Sequence, residues 1–482
     1  MASMSGMSQF LRKGQRIGLS HYLLESEDWT KFLSLAGRPL PLLACWADEE
    51  KATILLLEGE SPVLVSTPIS LRRYYAPSSH YPVASWGERI ARDLWGVEAL
   101  YASDDAPILD DGSWTQTWPL SKERLDVQGG GLSYPQCLHI SPHCTTLPGL
   151  VGLNYELKHG YIESLTVDIA SAHRGIISQL QGLTPKEALP LISRISAGGF
   201  VAHPLAFIRA YEQAQGIYPP PYERDTRLIL LEIERVSLHL FDLAQTARFA
   251  KASLFATYCD QTREIIASLC SAHGMTRRLT DMIELKEGDH NTIEIVPLAQ
   301  SIRDSLASRL DMLRDLYQLY ASRFKNQVIL SNDTAWRYAI GGVIGRASGR
   351  YIDMRRGDVG MRLEALRSSG GQGGDAHGRN LQRLTEIRDS LALISEIIAN
   401  FGVEDATEPF AVTQEGIGVV EGARGDIWYW LVMENDRIKT LQIRDPALAV
   451  MTAFNEMFHG LRPDQLPFAL TSLGFSPAAI AL

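Results

Sequence analysis

The sequence predicts an α+β protein in two parts, a small N-terminal α/β domain followed by a large helix-rich domain. Three observations lead to this fold class: short β-rich runs near the N-terminus, a Gly-rich stretch after them, and long helical periodicity beyond it. At roughly 100–200 residues per domain, 482 residues are ample for both parts. We expect domains at 1–122 and 137–482, joined by a Gly-rich linker at 123–136.

The N-terminal part should contain a hairpin and a helix. The runs ATILLLEG (52–59) and SPVLVSTP (61–68) are β-rich and flank a turn that contains Gly, which is typical of a hairpin. Segment 87–102 predicts a helix, because three apolar residues recur there at helical spacing, Ile90, Leu94 and Val97.

Long helices should dominate the second part. Apolar residues recur at helical spacing, with charged residues between them, in 224–250, 301–324 and 380–401. We expect these stripes to pack in the core rather than to hold a cofactor. The tail from 409 to 445 alternates like strands and turns, and 446–458 predicts a further helix.

Composition excludes several function classes. The chain has 46 Lys and Arg against 56 Asp and Glu, a net charge of −10, which argues against nucleic-acid binding and a polybasic membrane anchor. It has neither an apolar signal region nor a run long enough to span a bilayer, so we expect a soluble chain without a direct membrane span. An odd number of cysteines argues against a disulfide framework and for a reducing compartment: Cys45, Cys137, Cys144, Cys259 and Cys270.

One local cluster has the ligand types of a zinc site. The run C-x-H-x3-H-C offers two thiols and two imidazoles from Cys137, His139, His143 and Cys144. Four ligands within eight residues lack the separated pairs of usual zinc sites, so a strand that enters a proline turn with packed thiols is the favoured interpretation. We therefore expect no metal here.

An arginine-rich segment has two interpretations. Six arginines fall within 22 residues, and they could bind phosphate or an acidic partner, or form a solvated face with Asp353 and Asp358 as counter-ions. They are Arg346, Arg350, Arg355, Arg356, Arg362 and Arg367. The Gly-rich stretch 368–379 is a loop by composition and could approach a partner closely.

Six segments together resemble one family. In chain order they are 166–176, 203–217, 228–240, 341–355, 373–391 and 419–432. They resemble the large subunit of energy-converting nickel-iron hydrogenases, which is related to the D subunit of NADH-quinone oxidoreductase (complex I). Segment 81–99 resembles the signature of the C subunit, through Trp86, Glu88, Arg89, Asp93 and Gly96. A C-like domain fused to a D-like domain is the layout of the formate hydrogenlyase large subunit, and the resemblance covers nearly the whole chain.

The resemblance implies a lost metal site. The hydrogenases hold nickel and iron with four thiolates from two C-x-x-C pairs, because soft ligands bind and tune those metals. The first pair falls on Ser196 and Gly199, and the second on Ser476 and Ala479. The resemblance therefore implies a chain that activates no hydrogen and binds no metal.

It also implies an altered quinone site. The quinone-binding histidine of complex I falls on Pro148, the tyrosine on Ala197, and the aspartate that orients the histidine on Phe249. A shift of one residue in the alignment would bring His143, beside Cys144, toward the cavity instead.

Some framework residues are kept. Arg424 matches the arginine above the metal site, with Ala423 where the family has proline, and His203 matches the histidine after the first C-x-x-C. In the HRG motif, His173, Arg174 and Gly175 remain, whereas the proton-transferring glutamate two positions on is Ile177. We therefore take His143, Cys144, His203 and Arg424 as the cavity candidates.

These replacements predict a scaffold. The expected protein is a large peripheral subunit that couples an iron-sulfur small subunit to antiporter-like, ion-translocating membrane subunits, on the cytoplasmic face of the inner membrane. It would bind no cofactor itself; the iron-sulfur cluster would belong to the partner subunit. The alternatives are a working oxidoreductase subunit that binds a quinone or another acceptor in the altered cavity, and a regulatory module that acts outside any complex.

Overall fold

A computed structural model describes residues 10–12, 14–35, 40–110, 112, 114–127, 137–140, 151–285, 295–357, 373–403 and 411–482. Sheets are concentrated in the N-terminal third and near the C-terminus, and helices fill the region between them. The predicted α+β class, with a small N-terminal sheet domain before a helix-rich region, is confirmed.

Five strands form the N-terminal sheet: β1 (Gln15–Arg16), β2 (His21–Leu23), β3 (Leu42–Ala47), β4 (Lys51–Glu58) and β5 (Ser61–Pro68). Their order is β1-β2-β5-β4-β3, with β2 parallel to β5 and the other pairs antiparallel. Strands β4 and β5 confirm the predicted hairpin, with Glu58 opposite Ser61. Helix α1 (Ser26–Leu33) follows β2.

Helix α2 (Ser85–Trp95) is shorter than the sequence predicts. Gly96 ends it in the left-handed conformation, with φ of 67°. Val97 is buried but lies beyond the helix, so its placement on the helical stripe was wrong. Four short strands complete this region: β6 (Arg73–Tyr75), β7 (Glu98–Leu100), β8 (Gln116–Thr117) and β9 (Leu125–Asp126).

A second, antiparallel sheet precedes the helical region. Its strands are β10 (Cys137–Ile140), β11 (Val151–Lys158) and β12 (Tyr161–Asp168). Strand β10 agrees with the interpretation that was favoured over a zinc site, namely a strand that leads into a proline turn. His143 and Cys144, and the side chains of Cys137 and His139, lie outside the described residues. The domain limits stay a prediction, because the linker is described only as far as residue 127.

Ten helices are described between this sheet and the third. They are α3 (Ile176–Leu180), α4 (Pro185–Ile192), α5 (Ala202–Gln215), α6 (Pro221–Phe249), α7 (Ser253–Ala272), α8 (Ile295–Ala307), α9 (Leu310–Tyr320), α10 (Asn332–Arg337), α11 (Gly342–Ala347) and α12 (Ala376–Ala399). Helices α6 and α12 confirm two of the predicted helices and pack against each other.

The helix predicted at 301–324 is instead two helices, α8 and α9. The chain turns at Arg309, whose guanidinium lies 4.5 Å from the Tyr258 ring centroid and donates to Thr262 Oγ1 at 3.1 Å. Apolar periodicity continues across the turn, so the pattern alone could not reveal a break fixed by contacts to another helix.

A three-stranded antiparallel meander closes the fold, with β13 (Glu415–Gly422), β14 (Gly425–Glu434) and β15 (Arg437–Arg444). It confirms the predicted strands of the tail. Helix α5 packs on β13 and β14. The helix predicted at 446–458 is two short helices, α13 (Ala447–Thr452) and α14 (Phe454–Phe458), and α15 (Leu466–Leu473) comes last.

The N-terminal sheet and the C-terminal meander share one hydrophobic core. At their contact, His21 Nδ1 lies 2.7 Å from Glu415 Oε1, and Trp430 Nε1 donates to the same oxygen at 2.9 Å. The Trp46 and Trp430 rings are 6.0 Å apart. A second hydrophobic core is formed by the helices from α4 through α9, by α12 and by the other face of the meander. Within the described ranges, none of the helices is both long and apolar enough to cross a bilayer.

Candidate functional site

Five of the candidate site residues predicted from the sequence line one small cavity. Three chain segments that are distant in sequence meet there: the turn between α4 and α5, the hairpin turn between β13 and β14, and the segment after α15. The five residues are Ser196, Gly199, His203, Arg424 and Ser476.

The retained HRG motif holds two of these segments together. Arg174 donates to Ile195 O and to Ala478 O, both at 2.8 Å. His173 Nδ1 donates to Ala481 O at 2.9 Å, and burial lowers the pKa of His173. The motif therefore fixes the first segment against the last.

Arg424 is held in the cavity by a buried acid. It lies in the two-residue turn of the β13–β14 hairpin, and its Nη2 donates to Asp242 Oδ1 of α6 at 2.8 Å. Burial by itself would raise the pKa of Asp242, but the charges of Arg424 and Arg383 outweigh it and hold that pKa below its ordinary value. The pair is ionised and ties the meander to the central helix.

His203 fills the space beside Gly199, one of the positions that the resemblance assigns to a metal ligand. It is fully buried; its Nδ1 lies 2.9 Å from the Tyr429 hydroxyl and its Nε2 3.2 Å from Asp445 Oδ2. A Cβ added at Gly199 would come within 2.6 Å of His203 Cδ2. A cysteine at this position would therefore require the His203 ring to move.

The cavity does not fit a nickel-iron centre. Its lining offers hydroxyl, imidazole, guanidinium and carboxylate groups where such metals need thiolates. The space left for water-sized molecules is about 20 Å³, room for one water. Arg424 Nη1 and Ser476 Oγ are buried and have no hydrogen-bond partner among the described residues, so a single water is the guest that these two groups suit.

The remaining predicted residues lie elsewhere. Ala479 lines an apolar crevice with Cys45 of β3 and Ile177, and Ala197 lines a larger cleft on the other side of its turn. Phe249, 37% exposed at the end of α6, lines neither the cavity nor that cleft. His143, Cys144 and Pro148 lie outside the described residues.

Sequence reasoning missed three residues of the cavity's surroundings. Asp242 interrupts the apolar stripe of α6, and Asp445 directly follows β15. Tyr429 stands in the middle of β14, where burial raises its pKa well above the ordinary value. The one signal in the sequence was an acid, Asp242, within an apolar stripe, which indicates a buried polar contact. Its partner, Arg424, could not be named without the fold.

Three of the six arginines in the arginine-rich segment depart from both interpretations drawn from the sequence. Arg346, Arg350 and Arg355 are buried rather than solvated or free for a partner. Arg355 pairs with the predicted counter-ion Asp353 at 2.6 Å. Arg356 is exposed; Asp358, Arg362 and Arg367 lie outside the described residues.

Arg346 is the centre of a buried ionic network. It lies 2.8 Å from Glu386 of α12 and 2.7 Å from Glu421 of β13. Glu386 also lies 2.9 Å from His239 Nε2 of α6. The network thus joins the two central helices to the meander, and its acids come from segments distant in sequence.

Glu234 of α6 supports the turn that carries Ser196 and Ala197. Its carboxylate accepts hydrogen bonds from the backbone N–H of Val201 at 2.9 Å and of Ala202 at 3.0 Å. Burial raises the pKa of Glu234 to about 7, even though those hydrogen bonds act in the opposite direction.

Folding stability should therefore depend on pH through Glu234. The folded chain holds the proton more tightly than the unfolded chain, so this contribution to the free energy of unfolding is present below about pH 4.5 and is lost as pH rises to about 7. Relative to Glu234→Gln, the wild-type free energy of unfolding should fall by about 3 kcal/mol across this window, as measured by urea unfolding at several pH values.

Glu264→Gln is the matched control for this prediction. Glu264 lines the same cleft but is exposed, and its hydrogen bond with Arg277 lowers its pKa, so its contribution changes with pH in the opposite direction. A wild-type minus Glu234→Gln difference that stays constant from pH 4.5 to pH 7 would contradict the expected linkage.

Comparison with known proteins identifies relatives of the chain. A family model described as "Respiratory-chain NADH dehydrogenase, 49 Kd subunit" matches residues 255–412. The NADH-quinone oxidoreductase D subunit of Dehalococcoides mccartyi is 25% identical over 346 residues, which are 67% of this chain and 92% of that protein. The chain is homologous to the D subunits of NADH-quinone oxidoreductases. The resemblance read from the sequence is confirmed.

Relatives in which the C and D subunits are fused match as well. The NADH-quinone oxidoreductase C/D protein of Phocaeicola vulgatus is 24% identical over 345 residues, 66% of this chain. The match spans 64% of the length of that relative.

A solved structure shares the fold. One chain of the membrane-bound sulfane sulfur reductase, an archaeal respiratory membrane complex, matches with a TM-score of 0.62 and 18% identity. The match covers 72% of this chain and 98% of the other.

Proposed function

We propose that the chain is a non-catalytic peripheral subunit of a membrane-associated complex related to complex I and to energy-converting hydrogenases. It would join an iron-sulfur subunit to antiporter-like membrane subunits on the cytoplasmic face of the inner membrane, and transmit structural or electrostatic changes between them. The relatives support the type of assembly, since they are NADH-quinone oxidoreductase subunits.

The closed cavity carries the non-catalytic part of this proposal. A side chain at Gly199 would collide with His203, and the remaining space admits one water. Neither a metal centre nor a quinone headgroup has room there. The role left to these segments is to hold the turn, the hairpin and the C-terminal segment against α6 through Arg174 and Arg424.

Purification of the tagged chain from its native host tests the proposal. We expect an iron-sulfur protein and membrane proteins to co-purify, release of the chain from membranes when those partners are deleted, and no nickel by metal analysis. Nickel at one per chain, or hydrogen oxidation by the purified complex, would refute the non-catalytic role. A monodisperse chain with no partner would instead support the regulatory module.

The rival function is electron transfer to a quinone or another acceptor in the altered cavity. The unpartnered Arg424 Nη1 and Ser476 Oγ, buried among the described residues, favour it, since both could bind an acceptor oxygen if the cavity opened. Ser476→Ala removes one of these groups at little structural cost. Acceptor reduction by the complex that falls in Ser476→Ala, while the partners still co-purify, would favour the rival over the scaffold.

A further inference from the structure

A second cleft lies on the other side of the Ser196–Gly199 turn. It lies between α6, α7 and the turn, and it encloses about 310 Å³, within the range of small-molecule sites. Ala197 and Gly198 form part of its wall. Leu238 contributes to the partition from the small cavity, since its side chain packs 3.0 Å from a Cβ placed on Gly198.

Charged side chains line this cleft, and several of them neutralise one another. Glu264 pairs with Arg277 at 2.6 Å, and Asp260 pairs with Arg248. Glu234 uses both carboxylate oxygens to accept backbone N–H groups. The acids of the cleft are therefore committed to partners.

Two arginines of the cleft remain without such a partner. Across the described part of the chain, neither Arg263 nor Arg278 has an acid within ion-pair distance. The charged form of Arg263 is favoured by three acids that lie beyond that distance, Asp242, Asp260 and Glu264. The Arg263 guanidinium lies 4.9 Å from the Phe241 ring centroid. Both arginines line the same cleft, and burial, followed by the charge of Arg278, lowers the pKa of Arg263.

We propose that this cleft binds a small molecule through an oxyanion group, a carboxylate or a phosphate, held by Arg263 and Arg278. A guanidinium presents paired N–H donors that match the oxygens of either group, and stacking on Phe241 orients the fork of Arg263. An anion bound between the two arginines would relieve their repulsion at closer range than the described acids, none of which lies within ion-pair distance of either arginine. This site would make the chain a ligand-binding subunit, beyond the scaffold function proposed above.

The position of the cleft couples the ligand to the turn. Phe200 and Glu234 line the cleft, and Glu234 holds the backbone of Val201 and Ala202 at the start of α5. A bound anion would lie against the same turn whose opposite side contacts Arg424 and His203. Occupancy of the cleft would thus stabilise the turn.

Calorimetric titration of the purified full-length chain tests the site. The probes are inorganic phosphate and citrate at constant ionic strength, and phosphatidylglycerol vesicles in a co-sedimentation assay. We expect saturable binding that weakens about tenfold or more in Arg278→Gln and in Arg263→Gln, since each loses a charge-assisted hydrogen bond. Saturation by phosphate or citrate would indicate a free metabolite, and saturation by vesicles alone would indicate a lipid headgroup.

Arg314→Gln is the matched control, because Arg314 is an exposed arginine on α9 whose partners are Asp311 and Asp315. It should bind the probes like the wild type. Arg278 is exposed, so Arg278→Gln decides the outcome even if Arg263→Gln fails to fold. No saturable binding of any probe, or equal binding by wild type, Arg278→Gln and Arg314→Gln, would overturn the proposal.

Discussion

Arg346→Met should lower the free energy of unfolding by about 3–5 kcal/mol. Arg346 is 5% exposed and lies within 2.8 Å of both Glu386 and Glu421. Methionine fills a similar volume but removes the arginine that the two buried carboxylates share, although Glu386 keeps its contact with His239. Removal of one partner of a buried ion pair is costly for this reason, whatever the net contribution of the intact pair.

Arg356→Met is the matched control, because Arg356 belongs to the same arginine-rich segment but is exposed. A surface substitution of this kind should change stability by less than about 0.5 kcal/mol. Urea unfolding of both variants, followed by circular dichroism, measures the difference. Equal stability of the two variants would mean that the network around Arg346 is not formed.

Gly418→Ala should destabilise the chain by about 3 kcal/mol. Gly418 lies in β13 directly beneath α5, and an added Cβ would lie 1.9 Å from Ala206 O and 2.5 Å from Ala210 N. Both atoms are backbone, so the helix must move away from the meander as a unit. Gly416 makes the same close approach to Ala210 O, at 1.9 Å, so the two glycines allow helix and sheet to touch.

Gly357→Ala is the corresponding control. Gly357 is exposed, and an added Cβ would meet only Glu60 Oε2, at 3.7 Å. We expect no measurable loss of stability there. The midpoint of thermal unfolding should drop for Gly418→Ala alone; a midpoint equal to that of the wild type would show that α5 does not pack on β13 as described.

Local pattern predicted the long elements well. The hairpin at 52–68 and the helices α6 and α12 follow from β-rich runs and helical spacing, since their apolar faces are continuous and their ends carry turn residues. Element ends and breaks were less accurate. Val97 lies beyond the end of α2, and Arg309 interrupts the helix predicted at 301–324, because a glycine cap and a contact to another helix decide those points.

Five of the predicted site residues share one cavity, but the geometry of that cavity was not predicted. Ser196, Gly199, His203, Arg424 and Ser476 were named from the resemblance, and they line one cavity. The acids that fix them, Asp242 and Asp445, were not named, because each comes from an element far from its partner in sequence.

The sequence by itself determined the resemblance to NADH-quinone oxidoreductase subunits and the absence of thiols at the four positions to which that resemblance assigns metal ligands, since both depend only on which residue stands where. Tertiary structure alone decided whether a charge is solvated or internal. Arg346 and Arg356 belong to one arginine-rich run, yet the first is buried between acids of α12 and β13 and the second is exposed. The reason is physical: a buried charge is tolerated where counter-ions or hydrogen-bond partners surround it, and the closest acids to Arg346 come from other segments, which the local sequence does not reveal.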